Sequence, residues 1–178
     1  MAEEEQNGAG AEAAAGQEGQ DGGQQFALQR VYLKDLSFES PGAPDIFRKE
    51  YQPAVNVDLR TRSTSIEDDL YEVLLTITVT AKIGEDTAFL VEVQQGGIFT
   101  VRGLEGENLR RVLAVFCPNM LFPYAREVID NTVVKGTFPA LMMAQVNFEV
   151  LYLQAIQKAQ EQAAAQGGQA EAGDEAAS

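Results

Sequence analysis

The 178-residue chain contains no histidine, one cysteine and only 13 bases against 27 acids. Without histidine there is no Ser-His-Asp or Cys-His nucleophile system and no His-ligated zinc site. Cys117 has no possible disulfide partner within the chain, so nothing points to an oxidising compartment. No run approaches about 18 apolar residues, and the N-terminus is acidic and rich in Gln, Gly and Ala where a secretory leader would be basic and then apolar. A cytoplasmic, soluble protein without direct membrane insertion is expected. The shortage of Lys and Arg argues against sequence-independent nucleic-acid binding, which needs cations to displace phosphate counterions.

What charge there is lies unevenly. Residues 1–25 hold six acids and no base, residues 159–178 hold four acids and no base, and together they carry −10 of the formal −14. Neither end has an aromatic residue. The chain therefore divides into an acidic, disordered N-terminal tail (1–25), one globular domain (26–158) and an acidic, disordered C-terminal tail (159–178). A domain of 133 residues is large enough for a substantial core. The tails read as solvating extensions.

Strand signals open the domain. Phe26 to Glu39 is apolar without clean alternation, which suggests a strand covered on both faces. After the break at Ser40–Pro44, Val55, Val57 and Leu59 alternate with polar residues as in a half-buried strand. Tyr71, Val73, Leu75, Ile77, Val79, Ala81 and Ile83 then occupy every second position, with Thr and charged residues between most of them. A hairpin at Gly84-Glu85-Asp86 leads to a strand with Phe89, Val91, Val93 and Gln95 on one face and Leu90, Glu92 and Gln94 on the other. The Gly96-Gly97 pair predicts a bend or bulge before Ile98.

Beyond Gly103 the period becomes helical. Leu109, Val112, Leu113 and Phe116 form one stripe, on a helix expected to stop or kink at Pro118, with Asn119 capping the piece that follows. Asn147 is placed to cap a last helix bearing Phe148, Leu151, Tyr152, Ala155 and Ile156 on one face. Four strands followed by helices predict an α+β domain, a four-stranded antiparallel sheet with helices packed on one face.

The chemistry-bearing residues do not form a catalytic set. Asp68-Asp69 reads as a solvated turn, and Cys117 as a small buried hydrophobe. Gly96-Gly97 and Gly103-x-x-Gly106 lack the context of a phosphate loop, so no cofactor and no metal is indicated. The unusual feature is an apolar surplus in the connections, at Phe47, Tyr51, Phe122, Tyr124, Phe138 and Met142-Met143. Such residues need an oligomer interface or a binding groove, and flexible Met with aromatics suits a groove that accepts many apolar sequences.

The segment Phe26–Ile156 resembles the SecB family of bacterial export chaperones. The resemblance rests on Tyr32-x-Lys34-Asp35-x-Ser37-Phe38-Glu39, on Glu92-Val93-Gln94-Gln95-Gly96-Gly97-Ile98-Phe99, and on the run Cys117 to Glu127, followed by Gly136-Thr137-Phe138-Pro139 and Val146-Asn147-Phe148. It implies a homotetramer built as a dimer of dimers, acting without ATP as a holdase for unfolded preproteins and delivering them to the motor SecA. It assigns SecA binding to Asp35, Glu39, Leu90 and Glu92, and tetramer assembly to Val91, Val93 and Gln95. It suggests Tyr51, Phe89, Phe122 and Tyr124 for the client groove. Tyr51 stands where many members have Trp, and Gln145 where a Pro usually precedes Val-Asn-Phe. Two alternatives remain at this stage: a related holdase for a non-export client such as an antitoxin, and a small α+β enzyme with an apolar pocket.

Overall fold

The computed structural model describes the backbone of residues 23–174, and side chains as far as residue 162. Strands β3 (Leu70–Ile83) and β4 (Asp86–Arg102) form the centre of one antiparallel sheet, with β1 (Gln25–Glu39) outside β4 and β2 (Ala54–Glu67) outside β3. Alternation dictates its faces. Val73, Leu75, Ile77 and Val79 of β3 and Phe89, Val91 and Val93 of β4 are all fully buried, while the residues between them are half-buried. Each such side chain contributes about 1.5–3 kcal/mol on leaving water. Ile83 pairs with Asp86, so the hairpin loop is Gly84-Glu85. Gly84 has φ 63°, the position where a tight two-residue turn needs glycine. Asp69, at φ 61°, turns β2 into β3 and accepts a 2.9 Å hydrogen bond from Arg102 Nε.

Two expectations change in this sheet. β1 is an edge strand, exposed along most of its length, and its broken alternation comes from two bulges, between Leu28 and Arg30 and between Leu33 and Asp35. Each extra residue shifts the pattern by one, so Phe38, Leu36, Leu33, Val31, Leu28 and Phe26 all share the face of Val91 and Val93. β4, by contrast, runs unbroken through Gly96-Gly97. There the glycines thin the sheet. A Cβ on Gly97 would lie 2.8 Å from Leu121 Cδ2, and one on Gly96 would run into Cζ of the Tyr32 ring on the other face.

All the helices sit on the face of Val91. α1 (Gly106–Arg111), a π-helical turn (Val112–Phe116) and α2 (Cys117–Lys135) form one continuous run, not the broken pair expected at Pro118. The wider turn lets Cys117 N–H reach Val112 O, and Pro118, lacking an N–H, falls where α2 begins. Asn119 is therefore inside the helix, and its Oδ1 accepts from Gln145 Nε2 at 3.1 Å instead of capping. The run Gly106–Lys135 has a stretch of mean hydropathy 1.2, enough by composition to cross a membrane, but it packs on the sheet through Cys117, Leu121, Phe122, Ala125, Ile129 and Val133.

Asn147 caps α3 (Phe148–Asp174) as its spacing predicts, with Val150 N–H donating to Asn147 Oδ1 at 3.1 Å. Phe148 anchors the helix against the Phe122 ring at 6.0 Å between centroids. α3 continues past residue 158, where the sequence reading ends the domain, and the N-terminal tail up to residue 22 lies outside the described residues.

Candidate functional site

The face of the sheet that the helices leave open carries its charge in two halves. Register places side chains across it in rows, from β2 through β3 and β4 to β1. The first three rows are Asn56, Thr80, Leu90, Glu39; Asp58, Thr78, Glu92, Ser37; and Arg60, Thr76, Gln94, Asp35. All four residues assigned to SecA binding, Asp35, Glu39, Leu90 and Glu92, are thus on this face, with Leu90 directly opposite Glu39. Glu92 is fixed by a 2.8 Å hydrogen bond from Thr78 Oγ1, and Asp58 by one of 2.8 Å from Asn56 Nδ2. These rows hold four carboxylates, Asp35, Glu39, Asp58 and Glu92, against Arg60 at the far end of the row of Asp35 and Lys82 in the row beyond Leu90.

Arg62 of β2 and Arg30 and Lys34 of β1 gather in the other half, around Glu72 of β3, with Glu67 of β2 one row beyond. Lys34 Nζ donates to Glu72 Oε1 at 2.7 Å, and the Tyr32 hydroxyl donates to the same oxygen. Those two hydrogen bonds, Lys34 first, hold the Glu72 carboxyl below the usual range. Burial, reinforced by the Glu72 carboxylate, pushes the Tyr32 phenol up to about 12. Tyr32, lying over Gly96, pins the edge strand to the middle of the sheet.

The residues assigned to assembly lie on the opposite face and inside the chain's own core. Val91 and Val93 have zero exposure, and Gln95 has 3 %. Gln95 Nε2 donates to the Tyr32 carbonyl at 2.7 Å, while its Oε1 is buried without a partner among the described residues. α2 covers all three, so none presents its side chain to a second chain in this structure. Their row neighbours are exposed instead: Leu36 pairs with Val93 and Leu33 with Gln95, at 40 % and 45 % exposure, and Val55 and Val57 are exposed on the far edge. Sequence reasoning missed Leu33 and Leu36 because the bulge at Lys34 hides which face they join.

The four groove candidates separate. Phe89 and Phe122 are fully buried core residues, whereas Tyr51 and Tyr124 are exposed. Phe89 was legible as core, since its parity in β4 matches Val91. Tyr51 belongs to an aromatic shelf at one end of the helix face, in which the Phe138 ring lies 5.0 Å from Phe89, 5.3 Å from Phe47 and 6.1 Å from Tyr51. Phe38 closes it, with its ring 6.1 Å from Phe89. Phe47 is half exposed, and burial raises the Tyr51 phenol above its ordinary value. A cleft of about 220 Å³ lies elsewhere on the helix face, between Leu59 and Thr61 of β2 and Phe148, Leu151 and Tyr152 of α3. None of the four candidates lines it. Met142, left-handed at φ 50°, projects from the loop before α3, which Asp130 Oδ1 holds by accepting from Leu141 N–H at 3.1 Å.

Cys117 is wholly buried and its thiol is pushed up to about 12 by desolvation, which removes its nucleophilicity at neutral pH. Among the described residues no group of His, Cys, Asp and Glu is arranged to hold a metal ion.

Known proteins place this architecture. The family model described as preprotein translocase subunit SecB matches residues 19–159. The protein-export protein SecB of Marinobacter nauticus is 56 % identical over 151 residues, 85 % of this chain and 91 % of that protein. That of Azotobacter vinelandii is 51 % identical over 168 residues, covering 94 % and 98 %. The Mycobacterium tuberculosis SecB-like chaperone, solved with a ChAD peptide from the HigA1 antitoxin, shares the fold at a TM-score of 0.57 with 12 % identity, over 68 % of this chain and 91 % of that one. With its sheet, its helix face and most of its length matched in this way, the chain belongs to the SecB family of protein-export chaperones.

Proposed function

We propose that the chain is a cytoplasmic, ATP-independent holdase that keeps non-native preproteins translocation-competent and hands them to SecA. The observation that carries the reading is the division of labour between the faces of one sheet. The open face offers fixed carboxylates to a cationic partner, and the other side of the molecule offers apolar surface to unfolded chain. Asp35, Glu39 and Glu92, with Leu90 between them, form the SecA-docking patch; such a patch speeds encounter with a cationic ligand and weakens with salt.

Clients engage the exposed members of the aromatic shelf, Phe47 and Tyr51, together with Tyr124 and Met142, while Phe89 and Phe138 support the shelf from below. Many weak contacts add along one client because each bound segment raises the effective concentration of the next. The working unit is a homotetramer, a dimer of dimers. In this arrangement Val91, Val93 and Gln95 act on assembly through the packing of α2, and Leu33 and Leu36 supply contact surface. The reading assigns no reaction, cofactor or metal to the chain.

One experiment tests it. Stoichiometric tetramer without nucleotide delays refolding of an unfolded preprotein, and the double substitution Asp35→Lys, Glu92→Lys weakens SecA binding while leaving that delay intact. Refolding at an unchanged rate would overturn the holdase reading. Equal loss of both activities in the double variant would overturn the division between faces.

A further inference from the structure

We infer that Met142 is a modification site: its oxidation to the sulfoxide loosens the hold on unfolded clients and leaves the docking face untouched. The inference rests on the holdase reading above and adds a chemical control to one of its contact residues.

Met142 is exposed to 80 %, more than any other large apolar side chain among the described residues. It is also left-handed at φ 50°, a conformation that glycine adopts freely and that a residue with a Cβ adopts at a cost. An exposed apolar side chain on an unfavourable backbone stabilises the folded chain little, so its use lies outside the fold. α2 enforces the geometry. Asp130 Oδ1 accepts from Leu141 N–H at 3.1 Å and from Met142 N–H at 3.3 Å, and Arg126 donates to the Met143 carbonyl at 3.4 Å. Leu141 and Met143 pack against the core on either side, so the clamp turns Met142 alone outward.

An oxidant meets this thioether first. Cys117, the single thiol of the chain, is fully buried, and desolvation pushes it up to about 12. Met143 is half-buried, and Met120 is exposed to 39 %. With hydrogen peroxide the step is an oxygen transfer. A lone pair on Met142 Sδ attacks one peroxide oxygen, and an S–O bond forms as the O–O bond breaks. The departing hydroxide takes the proton of the transferred oxygen and leaves as water. Sulfur is oxidised by two electrons and the peroxide is reduced by two. A methionine sulfoxide reductase reverses the change with a dithiol, which ends as a disulfide with release of water. The sulfoxide is polar where the thioether was apolar and polarisable, so it gains little by leaving water for a client side chain. Asp35, Glu39, Leu90 and Glu92 stand on the opposite face of the sheet, beyond the reach of this change.

The test uses the full chain and limiting hydrogen peroxide. Peptide mass mapping should find one added oxygen at Met142 well before Met120 or Met143, with Cys117 unchanged. At that stage the thermal unfolding midpoint should be unaltered. Retention of an unfolded preprotein, read as delayed refolding, should fall by about tenfold, the loss expected when one Met side chain stops gaining from burial. Methionine sulfoxide reductases with dithiothreitol should restore it. The Met142→Leu chain, compared with its own untreated state, should lose no retention on the same treatment. Oxidation of Met120 or Met143 ahead of Met142 would overturn the inference. So would full retention by the singly oxidised chain, a loss that tracks a lowered midpoint, or an equal loss in Met142→Leu. An untreated chain that never delays refolding would overturn the holdase reading and this inference with it, a separate result because it appears without oxidant.

Discussion

The two faces of this sheet are made by the same strands, yet they obey different rules. On the helix face, Val73, Leu75, Ile77, Val79, Val91 and Val93 have no exposure at all, and their contribution lies in close packing. On the open face nearly every row has a charged or hydroxyl side chain, and Glu92, Glu72 and Asp58 are held by specific hydrogen bonds. The first face determines the fold and tolerates little. The second is free to carry recognition, because a substitution there changes charge without opening a cavity.

The sharpest way to break this contrast is to place a charge on the helix face. Val93→Asp buries a carboxyl beneath α2 with no partner, and should lower stability by about 4 kcal/mol or more. Thermal unfolding at fixed protein concentration should show the loss, together with dissociation of the proposed tetramer in native mass spectrometry. A variant that dissociates while keeping its unfolding midpoint would move Val93 from the core to a contact between chains.

Adjacent glycines offer a finer comparison. Gly97→Ala drives a methyl into Leu121 and Phe99, and should cost about 1–3 kcal/mol by overpacking. Gly96→Ala meets the Tyr32 ring on the open side, where the ring can swing outward, so its cost should be nearer the ~1 kcal/mol of the Tyr32–Glu72 hydrogen bond. Urea unfolding of the pair measures the difference. Equal costs would mean that the open face is packed as tightly as its opposite.

Smaller still is the pH effect at Glu72. Its carboxyl is held below the usual range by Lys34 and Tyr32 in the folded chain, so the stability it adds is present above the unfolded carboxylate value and is lost as pH falls through the lower, folded one. Tyr32→Phe should bring the Glu72 titration back towards its ordinary range, which carboxyl chemical shifts can follow. The smallest expected change in stability is that of Asp35→Lys with Glu92→Lys, within about 0.5 kcal/mol, despite the predicted loss of SecA binding.

How far the sequence discloses this molecule follows from how regular each element is. Beyond one extra residue at Ala88, β3 and β4 keep their parity, so their hairpin and the placement of Leu90 and Glu92 opposite Val91 and Val93 are legible from residue type alone. β1 is not legible in this way, because Gln29 and Lys34 each add a residue that only its pairing with β4 reveals. The helical stripe is readable as far as Leu113, but Phe116, expected on it, is 57 % exposed at the end of the π turn, and a proline says only that one hydrogen bond is missing. It does not say that a π turn will absorb the gap. Aromatic character likewise identified a group of candidates without sorting them: Phe89 and Phe122 belong to the core, and Phe47, named among the surplus but not among the groove residues, belongs to the exposed shelf.

The bulges in β1 have one more consequence. Deleting both Gln29 and Lys34 would leave every remaining side chain on the face it now occupies, so neither residue is needed to direct the pattern. What they interrupt is the even row of N–H and C=O groups along the outer rim of the sheet. An uninterrupted rim is a template for any extended polypeptide, and irregular pairing blunts it. For a chain of a family that works beside unfolded protein, an edge interrupted in this way is a poorer template for strand addition than a regular one.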